Sequence, residues 1–193
     1  MTAPSIPLRR IEGRFYRAVL PDRIEAVLDP PGPQSAGRYH RYGQPALYIT
    51  PEADWAAIAL GPYMVEDGQP RVIVPLDVDG ADVFDQRDAA ACAALGIDPE
   101  AANTRWRPAL AEGREPPSWR NADAVRTAGA GGIIDPSRGI LGGWHVALFR
   151  WNEPGGPMIR VAGPPIVADY RAARARWESP VGWVLAAHET PTR

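Results

Sequence analysis

Chemistry at a protein site needs a nucleophile, a proton carrier, a metal set or a charge clamp, and two of these can be set aside at once. His40, His145 and His188 lie far apart, and none stands at a ligand spacing from another histidine or from Cys92, which disfavours zinc. Cys92 sits in the small apolar run from Ala89 to Ala94 with no histidine nearby, the setting of a buried structural thiol rather than a nucleophile. Arginine offers the charge clamp. Arg38 ends a Pro- and Gly-rich loop running from Asp29 to Gly37, and its planar fork suits bidentate phosphate binding. Tyr48 lies at the end of a strand-like segment, and Ser137 supplies a hydroxyl after Pro136. Singly, each has an ordinary use: Arg38 pairing with a surface carboxylate, Tyr48 packing in a core, Ser137 filling a turn.

The elements that must position these residues are short and mixed. Phe15 to Val19 and Ala46 to Thr50 read as strands, with Thr50 placed to cap a helix from Pro51 to Leu60 that Gly61-Pro62 should stop. Arg71 to Val78 has strand character, with Pro75 implying an edge or a bulge. Asp88 to Leu95 reads as a helix closed by Gly96, and Asp98 to Pro117 as irregular, anchored by Trp106. A helix from Ser118 to Ala128 ended by Gly129, strands at Ile133-Ile134 and at Val146 to Phe149, and a helix around Asp169 to Trp177 complete the series. The three arginines of that last helix read as a solvated face. Strands and helices without strict alternation indicate an α+β protein.

At 193 residues the chain suits one domain, 1–193, that buries roughly two-thirds of its unfolded surface and needs no disulfide or metal. All 21 basic residues are arginine, and with 23 acidic residues the formal charge is -2, so no net field favours direct nucleic-acid binding. The segment Met1 to Arg14 lacks the apolar core of a secretion signal, and no stretch approaches the ~20 apolar residues of a membrane span. The expectation is a soluble, cytoplasmic protein.

Two segments, taken together, resemble the RES family. Gly37-Arg38-Tyr39-His40-Arg41-Tyr42-Gly43-Gln44-Pro45-Ala46-Leu47-Tyr48 is similar to the family's Gly-Arg-Trp-Asn, a short Pro and Gly turn, then a Leu-Tyr strand. Gly131-Gly132-Ile133-Ile134-Asp135-Pro136-Ser137-Arg138, followed by Gly142-Gly143 and Ala147-Leu148-Phe149, resembles the family's Gly-Leu, Pro-Ser, Gly-Gly and apolar-Phe pattern. The resemblance covers about 15–149, leaving 151–193 as a C-terminal extension whose Trp177 and Trp183 suit a core or an interface. It implies an ADP-ribosyltransferase-like fold of two small packed β-sheets with flanking helices. It also implies the toxin half of a toxin–antitoxin pair, degrading NAD as its substrate by cleaving the nicotinamide–ribose bond as a glycohydrolase or phosphorylase. The partner so implied is an antitoxin with a helix-turn-helix domain. No metal is implied, and the oligomeric state, a homo-oligomer included, stays open.

Cleaving that bond leaves an oxocarbenium-like ribose, so a site needs a cation on the pyrophosphate, a surface that orients the ribose and a carboxylate near the forming charge. By resemblance Arg38 takes the pyrophosphate, Tyr48 packs at the nicotinamide end and Ser137 holds the ribose or a phosphate, while Tyr39 and His40, in place of Trp and Asn, shape the NAD pocket entrance. The family's glutamate falls on Ala59, eleven residues past Tyr48. Glu66 is seven residues further and would share that helical face only if the helix ran on, which makes it the substitute catalytic candidate. The rival readings are a catalytically weak or inactive domain that binds a nucleotide or protein, and an ADP-ribosyltransferase acting on a macromolecule.

Overall fold

The computed structural model describes residues 6–178. Its first strand, β1 (Leu8–Val19), already reaches seven residues upstream of the expected start, because it finds a partner along its whole length. That partner is the fourteen-residue β3 (Val72–Asp85), paired antiparallel from Leu8 opposite Phe84 to Val19 opposite Val72. The register shifts between Ile11 and Gly13, where Gly13 and, across from it, Gly80 both have positive φ. That is the geometry of a bulge.

β3 is an interior strand, which corrects the expectation from Pro75. Its second edge carries β6 (Met158–Val161) opposite Leu76 to Asp79 and β7 (Ile166–Val167) opposite Val72 and Ile73. Pro75 falls between these two pairings. Its carbonyl accepts from Ala162 N–H at 2.8 Å, and its missing N–H lies where neither strand asks for one.

The end of β3 runs parallel to β4 (Gly132–Pro136), which pairs antiparallel with β5 (Trp144–Leu148), which pairs antiparallel with β2 (Leu47–Ile49). Two backbone hydrogen bonds between Tyr16 and Thr50, of 2.7 and 2.9 Å, then tie β2 back to β1. The strands of the α+β fold form one seven-stranded sheet, in the order β1-β3-β4-β5-β2 with β6 and β7 on β3, whose path the Tyr16–Thr50 bridge closes. Leu47, Ile49, Val74, Leu76, Ile134, Val146 and Leu148 fill the interior.

Helix α1 (Ala53–Asp67) runs straight through Gly61-Pro62 and ends only at Gly68, whose left-handed backbone closes it on the Met64 carbonyl. An interior proline removes one helical hydrogen bond and costs about 3 kcal/mol. Burial of Trp55, Ala56, Ala57 and Ile58 offsets this, as does packing against α5 (Tyr170–Trp177). Gly61 is where the Tyr170 ring lies against α1, and a Cβ there would overlap the ring. Thr50 is not the cap either: the helix begins after Glu52, and Thr50 Oγ1 donates to the Glu52 carbonyl at 2.7 Å.

α2 (Ala89–Leu95) is capped by Asp88, which accepts from Ala90 and Ala91 N–H, and closed by Gly96. Cys92 is buried, its thiol donating to the Gln86 carbonyl. The region expected to be irregular holds a 3-10 turn, Glu100–Asn103, and α3 (Trp106–Ala111). Its anchors are the buried Ala102 and Ala109, while Trp106 is half-buried. α4 (Pro117–Thr127) covers one face of β4. On α5, Arg176 pairs with Asp54 and Arg174 with Glu178, so two of its three arginines are engaged, and Trp177 packs edge-on against Trp55 at 5.2 Å. Trp183 and His188 lie outside the described residues. No described helix is long and apolar enough to cross a membrane.

Candidate functional site

A cavity of about 720 Å³ opens between α1, the loop before β2, the rims of β4 and β5, and α3. Arg38, Tyr39, His40, Tyr48, Ser137 and Ala59 all line it. Glu66 does not: α1 does carry it onward past Pro62, but its side chain is exposed and bonded to Arg107 at 2.6 Å.

The turn that presents Arg38 is built tightly. Gly37 N–H donates to the His40 carbonyl at 3.0 Å, and a Cβ on Gly37 would fall 2.7 Å from His40 Nδ1 and 2.8 Å from Tyr48 Oη. Glycine is the one residue that lets this pair approach. α4 holds the turn from outside: Trp119 Nε1 donates to the Gly37 carbonyl at 2.7 Å, Ser118 Oγ to the Arg38 carbonyl at 2.6 Å, and Arg126 to the Pro45 carbonyl at 3.0 Å. Arg41 is drawn away by Glu115 and Asp123 and stacks 4.8 Å from the Trp119 ring. Only one of the two neighbouring arginines therefore serves the cavity.

Tyr48 Oη accepts from Tyr39 N–H at 3.0 Å and sits 2.9 Å from His40 Nδ1. Burial raises the Tyr48 pKa and lowers that of His40 to about 4, with Arg126 and Arg17 adding to the latter. The Tyr48 hydroxyl keeps its proton and the imidazole is neutral, so the two share one hydrogen bond through Nδ1, and the other ring nitrogen, Nε2, is buried and faces no partner among the described residues.

A polar network backs the far wall. Asp135, buried on β4, takes both arms of Arg138 at 2.8 and 3.1 Å and lies 3.4 Å from Gln86 Nε2, which also donates to the Tyr39 hydroxyl at 3.3 Å. Gln86 is in turn held by Asn121 at 3.0 Å. Arg138 also donates to the Ala102 carbonyl at 2.7 Å, and Arg38 donates to that same oxygen and to the Thr104 carbonyl. Burial and the nearby Arg138 lower the Arg38 pKa. His145 stands directly across from Asp135 in the β4–β5 register, and burial lowers its pKa to about 4. Ser137 Oγ accepts from Gly139 N–H at 3.3 Å.

Sequence reasoning missed Asp135, Arg138, His145, Arg17 and the lip residues Tyr63, Trp106 and Arg107. Asp135, on β4, and Ser137, just past its end, both line the cavity, and their closeness in the quoted motif was the one signal available. Arg107 lies 4.1 Å over the Tyr63 ring, a contact between α3 and α1 that no local pattern announces. Among the described residues no cluster of histidine, cysteine or acidic side chains could hold a metal.

Two neutral histidines, His40 buried and His145 half-buried but desolvated, make the fold acid-sensitive. Each has a folded pKa near 4, below the ordinary value of about 6.5, so on acidification the unfolded chain takes up protons first. Stability is expected to fall as pH drops from about 6.5 towards 4. Thermal unfolding at steps across this range checks it, and a midpoint as high at pH 4.5 as at pH 7 would contradict it.

A family model described as the RES domain matches residues 7–178, which takes in β6, β7 and α5 beyond the segments quoted above. No curated protein matches the sequence. A chain of the crystal structure of the M. tuberculosis MbcT–MbcA toxin–antitoxin complex has the same fold, with a TM-score of 0.58 at 14% identity over 89% of this chain and 92% of that one.

Proposed function

The chain belongs to the RES-domain family, and from that premise we infer that its cavity holds NAD as substrate and cleaves the bond between nicotinamide and ribose. The observation that carries this reading is the convergence of Arg38, Tyr39, His40, Tyr48 and Ser137, from separate segments, on one cavity of a size usual for small-molecule sites. Arg38 supplies the pyrophosphate cation, Tyr48 the surface for the nicotinamide end, and Ser137 a hydroxyl for the ribose or a phosphate. The C1′–N1 bond breaks with its electron pair going to the nicotinamide nitrogen. An oxygen of water or phosphate then bonds to C1′, and with water one proton is released.

We assign the protein to the toxin half of a toxin–antitoxin pair in the cytoplasm. The likeness to a chain from a toxin–antitoxin complex supports a protein partner, and the family resemblance makes it one with a helix-turn-helix domain. The second reading, a binding module, is favoured by one observation: α1 presents Ala56, Ala59, Leu60, Pro62 and Tyr63 to the cavity and no carboxylate.

Incubating the protein with NAD and following free nicotinamide separates the two. Steady release supports cleavage, and saturable NAD binding without release supports the module. ADP-ribose appearing on protein instead of in solution indicates transfer to a macromolecule. Glu66→Gln should leave release close to that of the unaltered protein and cost less than about 1 kcal/mol of stability, since it removes only an exposed ion pair with Arg107. Abolished release would return Glu66 to the site.

A further inference from the structure

The cavity lining contains four arginines, Arg17, Arg38, Arg107 and Arg138, and among the described residues a single carboxylate, Asp135. A positive charge forming on ribose inside such a lining is opposed from several sides. The pyrophosphate of NAD answers part of that field, but it is joined to the ribose through C5′ and not at the reacting C1′. We propose that Asp135 is the carboxylate that faces the forming charge, acting from β4 on the wall opposite α1; this rests on the reading that the cavity cleaves NAD.

The placement supports the role. Asp135, on β4 opposite His145, and Ser137, just past the end of that strand, both line the cavity, so the carboxylate shares the cavity with the hydroxyl assigned to the ribose. It is 4% exposed, and water there screens its charge little. Arg138 and Gln86 fix its orientation before any ligand arrives, which is the preorganisation that electrostatic stabilisation requires. Its one charged partner, Arg138, divides itself between Asp135 and the Ala102 carbonyl.

Asp135→Asn separates this role from a structural one, because the two predict opposite changes in binding. Losing a negative charge from an arginine-rich cavity should leave the affinity for anionic NAD unchanged or tighter, while nicotinamide release at saturating NAD falls by roughly a hundredfold or more. A purely structural loss weakens binding and release together. Arg138→Gln breaks the same ion pair yet keeps the carboxylate, so it should retain at least about tenfold more release at saturation than Asp135→Asn; it also serves if Asp135→Asn does not fold. Equal release by Asp135→Asn and the unaltered protein, or equal losses in the two variants, overturns the assignment. No release from the unaltered protein would instead bring down the cleavage reading itself.

Discussion

Ala59→Glu is expected to raise nicotinamide release by about a hundredfold, the lower end of what one well-placed electrostatic stabiliser contributes. Ala59 is half-buried on the cavity face of α1, so the longer side chain extends into open volume instead of into packed core. Glutamate costs little as a helix former, and the site lies inside a fifteen-residue helix. The gain is large because Asp135 shares its charge with Arg138, whereas α1 carries no basic residue that could pair with a glutamate at position 59. Release and NAD affinity should be measured on the same sample. Unchanged release with intact binding would mean that the positive charge does not form beside α1.

Arg38→Ala should weaken NAD binding by one to two decades, the loss of a charge-assisted pair worth roughly 1.5 to 3 kcal/mol, while Arg41→Ala should change it far less. The two arginines are three residues apart, but α4 and the Glu115 loop pull Arg41 outward while Arg38 stays on the cavity. Calorimetric titration of both variants decides it. Arg41→Ala should show its effect in thermal stability instead, since it abandons Glu115, Asp123 and the Trp119 ring together. Equal losses of NAD affinity would remove Arg38 from its assigned role.

Much of this arrangement was legible in residue types alone. The α2 helix announced both ends, with Asp88 before it and Gly96 after it, because capping is a local interaction that sequence states directly. The α1 end was misread for the opposite reason: Gly61-Pro62 is a stop by local rules, and only the approach of Tyr170 from a helix more than a hundred residues later makes the glycine a packing surface and carries the helix on. Pro75 misled in the same way, since the gap between β6 and β7 that accommodates it is not a property of β3. In the site, Arg38, Tyr48 and Ser137 stood out through motif order. Asp135 sat inside the second motif beside the Ile133-Ile134 strand without standing out, because a buried carboxylate is recognised by its burial and its partners, here Arg138 and the distant Gln86.

The closed strand order has a consequence during synthesis. β2 lies early in the chain yet pairs only with β5 and touches β1 through a single bridge, and β4 and β5 emerge in the last third. A nascent chain on the ribosome can form the β1–β3 pairing and helices α1 and α2, but it has no wall carrying Asp135, Ser137 and His145. Folding that depends on such distant pairings is slow. The cavity is therefore complete only once β4 and β5 have both been made, and truncated products ending before Gly132 lack that wall.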